Sequence, residues 1–260
     1  MRMRIGFITD LSETDFRFAA DNAFPCVEHV SFGDVDIVEQ KEDIRRLKQT
    51  YGVDFSMLAL FVQNYISDSK EIAEESFRQA RALIDLCHEI EAPLMVTCPG
   101  EGKDRSLQEN AARAVDAFGE LIDYGRPRGV NIALYNCHVT NFAYAPAAWE
   151  LILPALPDLS LKFDPSHPLY DGRDYLAELR DWGSRVAHVH AKGSLVVGGE
   201  RFEDPPAGMD DTRWGPLFAV LYHHDYAGDI NIEPHAATWT GKRRHDGILL
   251  ARRHLSQFVV

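Results

Sequence analysis

The chain has 260 residues, of which 45% are hydrophobic and 26% charged, a composition typical of soluble globular domains. No apolar run approaches the roughly 18 residues that a membrane span needs. The formal net charge of −13 opposes nucleic-acid binding, because phosphate contacts depend on Lys and Arg. The four cysteines lie far apart without CxxC spacing, which predicts reduced thiols in a cytoplasmic protein and no disulfide framework.

Short apolar runs alternate with amphipathic segments along the whole chain. The predicted strands are 4–9, 26–31, 53–60, 93–98, 130–136, 159–164, 186–191 and 229–234. The predicted helices are 13–23, 36–50, 69–90, 104–125, 144–155, 172–182, 212–225 and 245–257, with Gly125 as a C-cap. Strict alternation implies parallel strands joined by right-handed crossovers. Eight such units predict an α/β fold, a single-domain (β/α)8 TIM barrel over residues 1–260.

Ionisable residues stand at the ends of three predicted strands, where a barrel of this kind gathers its reactive groups. Because side chains alternate along a strand, Asp164, His190 and Glu233 are predicted to point inward and meet at one mouth of the barrel. Two carboxylates and one imidazole suit Mn, Mg, Co or Zn, with coordination positions left open. The alternative is a buried ion-pair network that includes Lys162 and His188.

Three loops are predicted to cover this mouth. In "DPSHP" the two prolines fix His167 over the pocket, or else the segment is only a tight turn with an exposed histidine. The segments 141–150 and 205–214 are predicted as longer loops. Three tryptophans in or near the mouth loops either form an apolar wall for a sugar or pack against neighbouring helices or subunits; they are Trp149, Trp214 and Trp239.

Several motifs taken together resemble the xylose isomerase-like TIM barrel superfamily, which includes sugar-phosphate isomerases and epimerases, inosose dehydratase-like proteins and type IV AP endonucleases. They are "YGVDFSMLAL" (51–60), "GVNIALYNC" (129–137), "LKFDPSH" (161–167), "VAHVHAKG" (186–193) and "YAGDINIEP" (226–234). The resemblance implies a metal ion held by Glu, Asp, His and Glu, of which the last three fall on Asp164, His190 and Glu233. It also implies that His167 contacts the substrate. The lysine that follows the strand-seven histidine in the superfamily corresponds to Lys192.

The chain departs from this pattern on the fifth strand. Members of the superfamily commonly have "IENC" or "LENH" there, with Glu as the first metal ligand, whereas this chain has Tyr135. A phenol with a pKa near ~10 is a poor ligand for a hard divalent ion and a poor base at neutral pH. We therefore expect a weakly held ion, or one whose shell is completed by His167, His138 or water. A relay between two glutamates cannot operate.

The resemblance further implies that the metal acts as a Lewis acid, so that a sugar or polyol substrate reacts through an enediolate-type intermediate. Glu233 is expected to take the proton if the pocket raises its pKa towards neutrality. His167 is the first choice for the second proton carrier, followed by His235 and His138.

The remaining predicted site residues bind substrate. Lys192 is expected to stabilise the developing oxygen charge or a substrate phosphate, or else to form a salt bridge with one of the carboxylates. Tyr135 and Asn136 are expected to hydrogen-bond the substrate, unless Tyr135 only fills the barrel with its ring. His138 and His235 are also expected to contact the substrate.

Three functions remain open from the sequence. The favoured one is a metal-dependent isomerase, epimerase or lyase of a sugar, sugar phosphate or polyol. The second is an accessory sugar-binding barrel without turnover, which the substitution at Tyr135 favours. The third is an AP endonuclease-like repair enzyme, which the net charge of −13 disfavours. The resemblance also implies a homo-oligomer.

Overall fold

The computed structural model describes residues 3–33 and 35–260, and eight parallel strands in this part of the chain form a closed barrel. The barrel strands are β1 (Arg4–Ile8), β2 (Cys26–Phe32), β3 (Asp54–Phe61), β4 (Leu94–Thr97), β5 (Asn131–Tyr135), β6 (Leu159–Phe163), β7 (Val186–Ala191) and β10 (Asp229–Ile232). Their order around the barrel is β1-β10-β7-β6-β5-β4-β3-β2. The predicted (β/α)8 fold is confirmed.

Helices connect these strands on the outside of the barrel. They are α1 (Glu13–Asp21), α2 (Lys41–Tyr51), α3 (Lys70–Ile90), α4 (Leu107–Gly125), α5 (Pro146–Ile152), α6 (Ser166–Tyr170), α7 (Tyr175–Trp182), α8 (Trp214–His223) and α9 (Lys242–Leu255). Every predicted helix has its counterpart. In the described residues, no helix combines the length and the apolarity that crossing a bilayer requires.

Two segments differ from their predictions, and a third element was not predicted. The segment around His167 is the short helix α6 and not a loop. The segment 141–150 is a loop only as far as Ala145, because Pro146 occupies the first turn of α5, where its missing N–H costs nothing. A hairpin of β8 (Leu195–Val197) and β9 (Glu200–Glu203) interrupts the connection from β7 to α8.

Gly125 has a different role from the predicted C-cap. It ends α4 with φ −75°, and the chain continues through a 3₁₀ turn to Gly129, which is the left-handed residue with φ +69°. A Cβ on Gly125 would lie 2.5 Å from the Val130 carbonyl oxygen. Glycine is needed at this position because β5 passes close to the end of α4.

The strand register determines which side chains share the barrel interior. Lys162 on β6 is the cross-strand neighbour of His188 on β7, and His190 on β7 is the neighbour of Asn231 on β10. All four side chains are buried. Branched aliphatic residues dominate most barrel interiors, so the interior of this barrel is unusually polar. The apolar core lies instead between the strands and the surrounding helices.

Candidate active site at the barrel mouth

The structure brings Asp164, His190 and Glu233 together at the carboxyl ends of β6, β7 and β10, which are neighbours in the barrel. One potential ligand atom from each of the three lies within 4.8 Å of the others. Lys192 enters the same group, because its Nζ lies 3.4 Å from Asp164 Oδ2 and 3.9 Å from Glu233 Oε1. We call these four residues the mouth cluster.

Hydrogen bonds fix both the backbone and the side chain of Asp164. The Asn136 side chain accepts a hydrogen bond from the Asp164 backbone N–H and donates one to its carbonyl oxygen, both at 2.9 Å. Asp164 Oδ1 accepts a 2.9 Å hydrogen bond from the Ser166 backbone. Burial raises the pKa of the Asp164 carboxyl, but the charges of Lys192, His167 and Lys162 outweigh it and hold the pKa well below its usual range.

His190 lies between two carboxylates. Its Nε2 is 2.6 Å from Glu28 Oε1, and its Nδ1 is 2.7 Å from Glu233 Oε2. Burial lowers the pKa of His190, but the charge of Glu28 outweighs it, so that the pKa is raised. The imidazole therefore connects the interior of the barrel to the mouth.

Glu28 is the residue that the sequence analysis missed. Its side chain is completely buried on β2, and its Oε2 accepts hydrogen bonds from His188 Nε2 at 2.6 Å and from Asn231 Nδ2 at 2.7 Å. Asn231 also donates to Ser56 Oγ at 2.6 Å. The available signal was a carboxylate in the middle of the apolar strand "CVEHVS", which is costly unless partners satisfy it.

The pKa of Glu233 departs from the predicted direction. Burial raises the pKa of its carboxyl, but the charge of Lys192 and the hydrogen bond from His190 outweigh it, so that the pKa is lowered and not raised towards neutrality. The same carboxylates raise the pKa of Lys192 against the effect of burial. The two carboxylates and the ammonium group of the mouth cluster are therefore charged at neutral pH.

His167 extends the site on the side of β5. Its Nε2 lies 3.3 Å from Asp164 Oδ2, and the ring centroids of His167 and the exposed His138 are 6.2 Å apart. Burial lowers the pKa of His167, but the charge of Asp164 outweighs it and the pKa is raised. Burial also raises the pKa of the Cys137 thiol, yet its hydrogen bond with His167 leaves that pKa lowered.

Two other predicted substrate-binding residues have partners within the protein. Tyr135 is buried, and its ring stacks on Phe61 with 4.0 Å between the ring centroids. Burial raises the pKa of Tyr135 well above its usual value, so its hydroxyl stays protonated. His235 Nδ1 lies 2.7 Å from Asp204 Oδ2, and 52% of the His235 side chain is exposed.

Two of the three tryptophans do not line the mouth. Trp149 is buried beneath the barrel rim, where its Nε1 donates a 2.8 Å hydrogen bond to the Ala143 carbonyl oxygen. Trp214 is buried and donates to Asp210 Oδ1 at 3.0 Å. Both tryptophans therefore pack within the protein and do not form an apolar wall for a sugar.

The residues of the mouth cluster fit a divalent cation. Among residues 3–33 and 35–260, the buried Asp164 Oδ2 receives no hydrogen bond of good geometry, although three cationic side chains lie 3.3–3.8 Å away. A buried carboxylate oxygen in this state is a natural ligand for a hard cation. Two carboxylates and one imidazole also match the ligand types that Zn, Mn and Co accept.

Comparison with known proteins gives one family and one curated relative. The sequence profile of the family "Xylose isomerase-like TIM barrel" matches residues 16–257. The uncharacterized protein YfiH of Bacillus subtilis (strain 168) is 28% identical over 142 residues, which are 46% of this chain and 45% of that protein. The match thus spans less than half the length of this curated relative.

Solved structures share the whole barrel with this chain. The D-allulose 3-epimerase from Methylomonas sp. in complex with D-allulose is 19% identical, with a TM-score of 0.74 over 96% of this chain and 90% of that one. The IOLI protein with a bound zinc atom is 15% identical, with a TM-score of 0.79 over 98% of each chain. Because the sequence identities are this low, the structural similarity shows that these proteins share the fold of this chain.

Proposed function

The chain belongs to the xylose isomerase-like TIM barrel family, and on that premise we propose that it is an isomerase or epimerase of a sugar or polyol that uses a divalent metal ion. The observation that carries the proposal is the convergence of Asp164, His190 and Glu233 from three neighbouring strands. Barrels of the same fold that bind zinc or D-allulose at this level of similarity support it.

Asp164, His190 and Glu233 would hold the ion. When bound, a divalent ion supplies a Lewis acid that makes the C–H beside a sugar carbonyl more acidic and stabilises negative charge on the oxygens. Glu28 Oε1 lies 2.6 Å from Nε2 of His190 on the interior side. The other ring nitrogen, Nδ1, faces Glu233 and the mouth.

The chain's own residues then move the proton. The ionised Glu233 takes it from the carbon beside the carbonyl, as a base whose lowered pKa makes it weaker than a free glutamate. His167, three residues after Asp164 in α6, returns a proton to the substrate. Lys192 places its ammonium between the two carboxylates and balances charge that develops on a substrate oxygen. Tyr135 takes no part in proton transfer, because its hydroxyl is buried and stays protonated.

The test combines metal analysis with hydrogen exchange. We expect the purified protein to retain about one equivalent of Mn, Co or Zn, and the loaded protein to exchange a carbon-bound hydrogen of a ketose such as D-allulose for deuterium in D₂O, observed by NMR. Asp164→Asn and Glu233→Gln should abolish both results, whereas the exposed control Asp181→Asn should not.

The same measurements can contradict the proposal. A protein that holds no ion and exchanges no hydrogen across a panel of ketoses and aldoses is not the proposed enzyme. If such a protein still binds a sugar, it is a sugar-binding barrel without turnover.

A further inference from the structure

Three aromatic side chains form a continuous row at the barrel mouth, and the proposed chemistry uses none of them. Phe32 ends β2, Phe61 ends β3 and Tyr135 ends β5. The ring centroids of Phe32 and Phe61 are 5.5 Å apart in an edge-to-face arrangement, and those of Phe61 and Tyr135 are 4.0 Å apart and stacked. We call these three residues the aromatic row.

The aromatic row faces the inside of the mouth. Phe32 lies four residues after the interior Glu28 on the same strand, so the two side chains share one side of β2. Phe61 is the cross-strand neighbour of Phe32, and Tyr135 is the cross-strand neighbour of the interior Lys162. Since Lys162 Nζ lies 3.8 Å from Asp164 Oδ2, the inner end of the row borders the mouth cluster.

Exposure increases along the row towards solvent. Tyr135 is buried, Phe61 is partly buried and Phe32 is 66% exposed. Leaving a phenylalanine side chain in water forgoes the favourable free energy that its burial would contribute. An exposed aromatic residue near a cluster of charged groups is therefore informative about the ligand that this end of the barrel binds.

We propose that the aromatic row packs against the apolar face of a pyranose ring, so that the substrate is a cyclic sugar or glycoside whose ring carries the carbonyl group that the proposed function requires, and not a short open-chain sugar. Such a ring presents C–H groups on one face and hydroxyl groups around its edge. The C–H face matches Phe32 and Phe61, and the hydroxyl edge matches the charged groups of the mouth cluster. The inference rests on the proposed function for the placement of the hydroxyl edge.

This proposal also explains why Tyr135 stands at the position where the superfamily commonly has a glutamate. Its buried ring supports Phe61 from behind by stacking, which fixes the orientation of the aromatic surface that the substrate meets. A glutamate at this position would put a charge behind Phe61 and remove the stacking partner.

The experiment measures binding of matched cyclic and open-chain ligands by NMR titration of the purified protein. The probes are the methyl D-glucopyranosides, D-galactopyranosides and D-mannopyranosides, compared with sorbitol, galactitol and mannitol of the same stereochemistry. We expect at least one glycoside to bind more tightly than its alditol. Phe32→Ala and Phe61→Leu should weaken that glycoside about 3- to 10-fold and leave the alditol unchanged.

Phe202→Ala is the matched control, because Phe202 is 67% exposed but lies on the hairpin strand β9. It should leave both ligand classes unaffected. Phe61→Leu keeps an apolar side chain at the partly buried position, and a thermal unfolding curve establishes that the variant is folded.

Three results would overturn the inference: no glycoside binds more tightly than its alditol, the row variants weaken both ligand classes alike, or they weaken neither. A change of oligomeric state in Phe32→Ala, with sugar binding unaltered, would assign the exposed ring to contact with a second copy. The protein could instead bind the glycoside through the aromatic row but hold no metal ion and exchange no hydrogen. That result would contradict the proposed catalysis and leave the inference about the aromatic row intact.

Discussion

At the scale of single residues, Glu28 holds the interior network together. One carboxylate is within 2.6 Å of both His188 and His190 and also accepts a hydrogen bond from Asn231. A histidine that binds metal commonly donates its second N–H to such a carboxylate, which orients the ring. Glu28, which is completely buried, therefore sets the direction in which His190 faces the mouth.

Replacing Glu28 by Gln should weaken divalent-ion binding. The amide keeps the volume but removes the negative charge that orients His190, and losses of this kind are roughly 10- to 100-fold in metal affinity. Isothermal titration of the ion-free protein with Mn²⁺ measures the change. Glu200→Gln, on the exposed strand β9, is the matched control and should bind Mn²⁺ like the wild type. Equal affinities for both variants would show that Glu28 has only a packing role.

A second prediction concerns the strand-five position itself. Tyr135→Glu places a carboxylate where the superfamily commonly has its first metal ligand, and metal affinity increases with the charge of the ligand set. We expect Mn²⁺ to bind at least about tenfold more tightly, with a loss of stability of about 3–5 kcal/mol because the stacked ring is removed. Tyr135→Gln should show the same destabilisation without tighter binding. Tighter binding by Tyr135→Gln would contradict this explanation.

At the scale of secondary structure, the features that depend only on local sequence pattern could be predicted from the sequence. Period-two alternation placed Asp164, His190 and Glu233 inward because that rule needs only neighbouring residues. Glu28 was missed because its partner His188 lies 160 positions further along the chain. The stacking of Tyr135 on Phe61 depends on how β3 and β5 curve around the barrel, which no local pattern specifies. The five-residue helix α6 is too short for helical periodicity to reveal it.

The hairpin of β8 and β9 is attached to the barrel by Asp204. This buried carboxylate accepts hydrogen bonds from Tyr170 at the end of α6, from Arg201 on the hairpin and from His235 after β10. Three separate connections at the mouth thus meet at one side chain. We therefore expect Asp204 to contribute more to the position of the hairpin than the pairing of its two short strands does.

Asp204→Ala should release the hairpin without unfolding the barrel. Hydrogen–deuterium exchange in segment 195–204 should become at least about tenfold faster, because its backbone then opens at lower free energy. Exchange in the barrel strands β3 and β5 should stay unchanged. Asp181→Asn, an exposed carboxylate on α7, is the control. Unchanged exchange in segment 195–204 would show that other contacts hold the hairpin.

At the scale of the whole molecule, the first and last strand–helix units are joined by several charged contacts. Arg4 on β1 forms two 2.7 Å hydrogen bonds with Asp229 on the neighbouring strand β10. The buried Asp15 accepts hydrogen bonds from Arg244 at 2.7 Å and from His245 at 2.8 Å, both on α9. These contacts connect the two ends of the chain where the barrel closes.

The contribution of Asp15 should depend on pH. Burial raises the pKa of its carboxyl, but the hydrogen bonds from Arg244 and His245 outweigh it and the pKa is lowered. A lowered carboxyl pKa stabilises the fold above the unfolded value near ~4, and that stabilisation is lost as pH falls through the folded value. We expect Asp15→Asn to be about 1.5–3 kcal/mol less stable than the wild type at pH 7.

Urea unfolding at a series of pH values measures this difference. The gap between Asp15→Asn and the wild type should narrow as the pH falls below ~4, since the wild-type carboxyl then becomes neutral as well. The exposed Asp21→Asn, at the end of the same helix, should show no comparable gap. A gap that persists unchanged in acid would mean that the charge of Asp15 is not what joins α1 to α9.

The polar interior of the barrel has a consequence for how this protein can diverge. Glu28 is balanced by histidines from another strand, and Asp164 by two lysines, in surroundings that water does not screen. A single mutation that removes one of these charges leaves its partner uncompensated, which costs several kcal/mol. Viable descendants should therefore change such positions in pairs, and homologues should show correlated substitutions between strands that are distant in sequence.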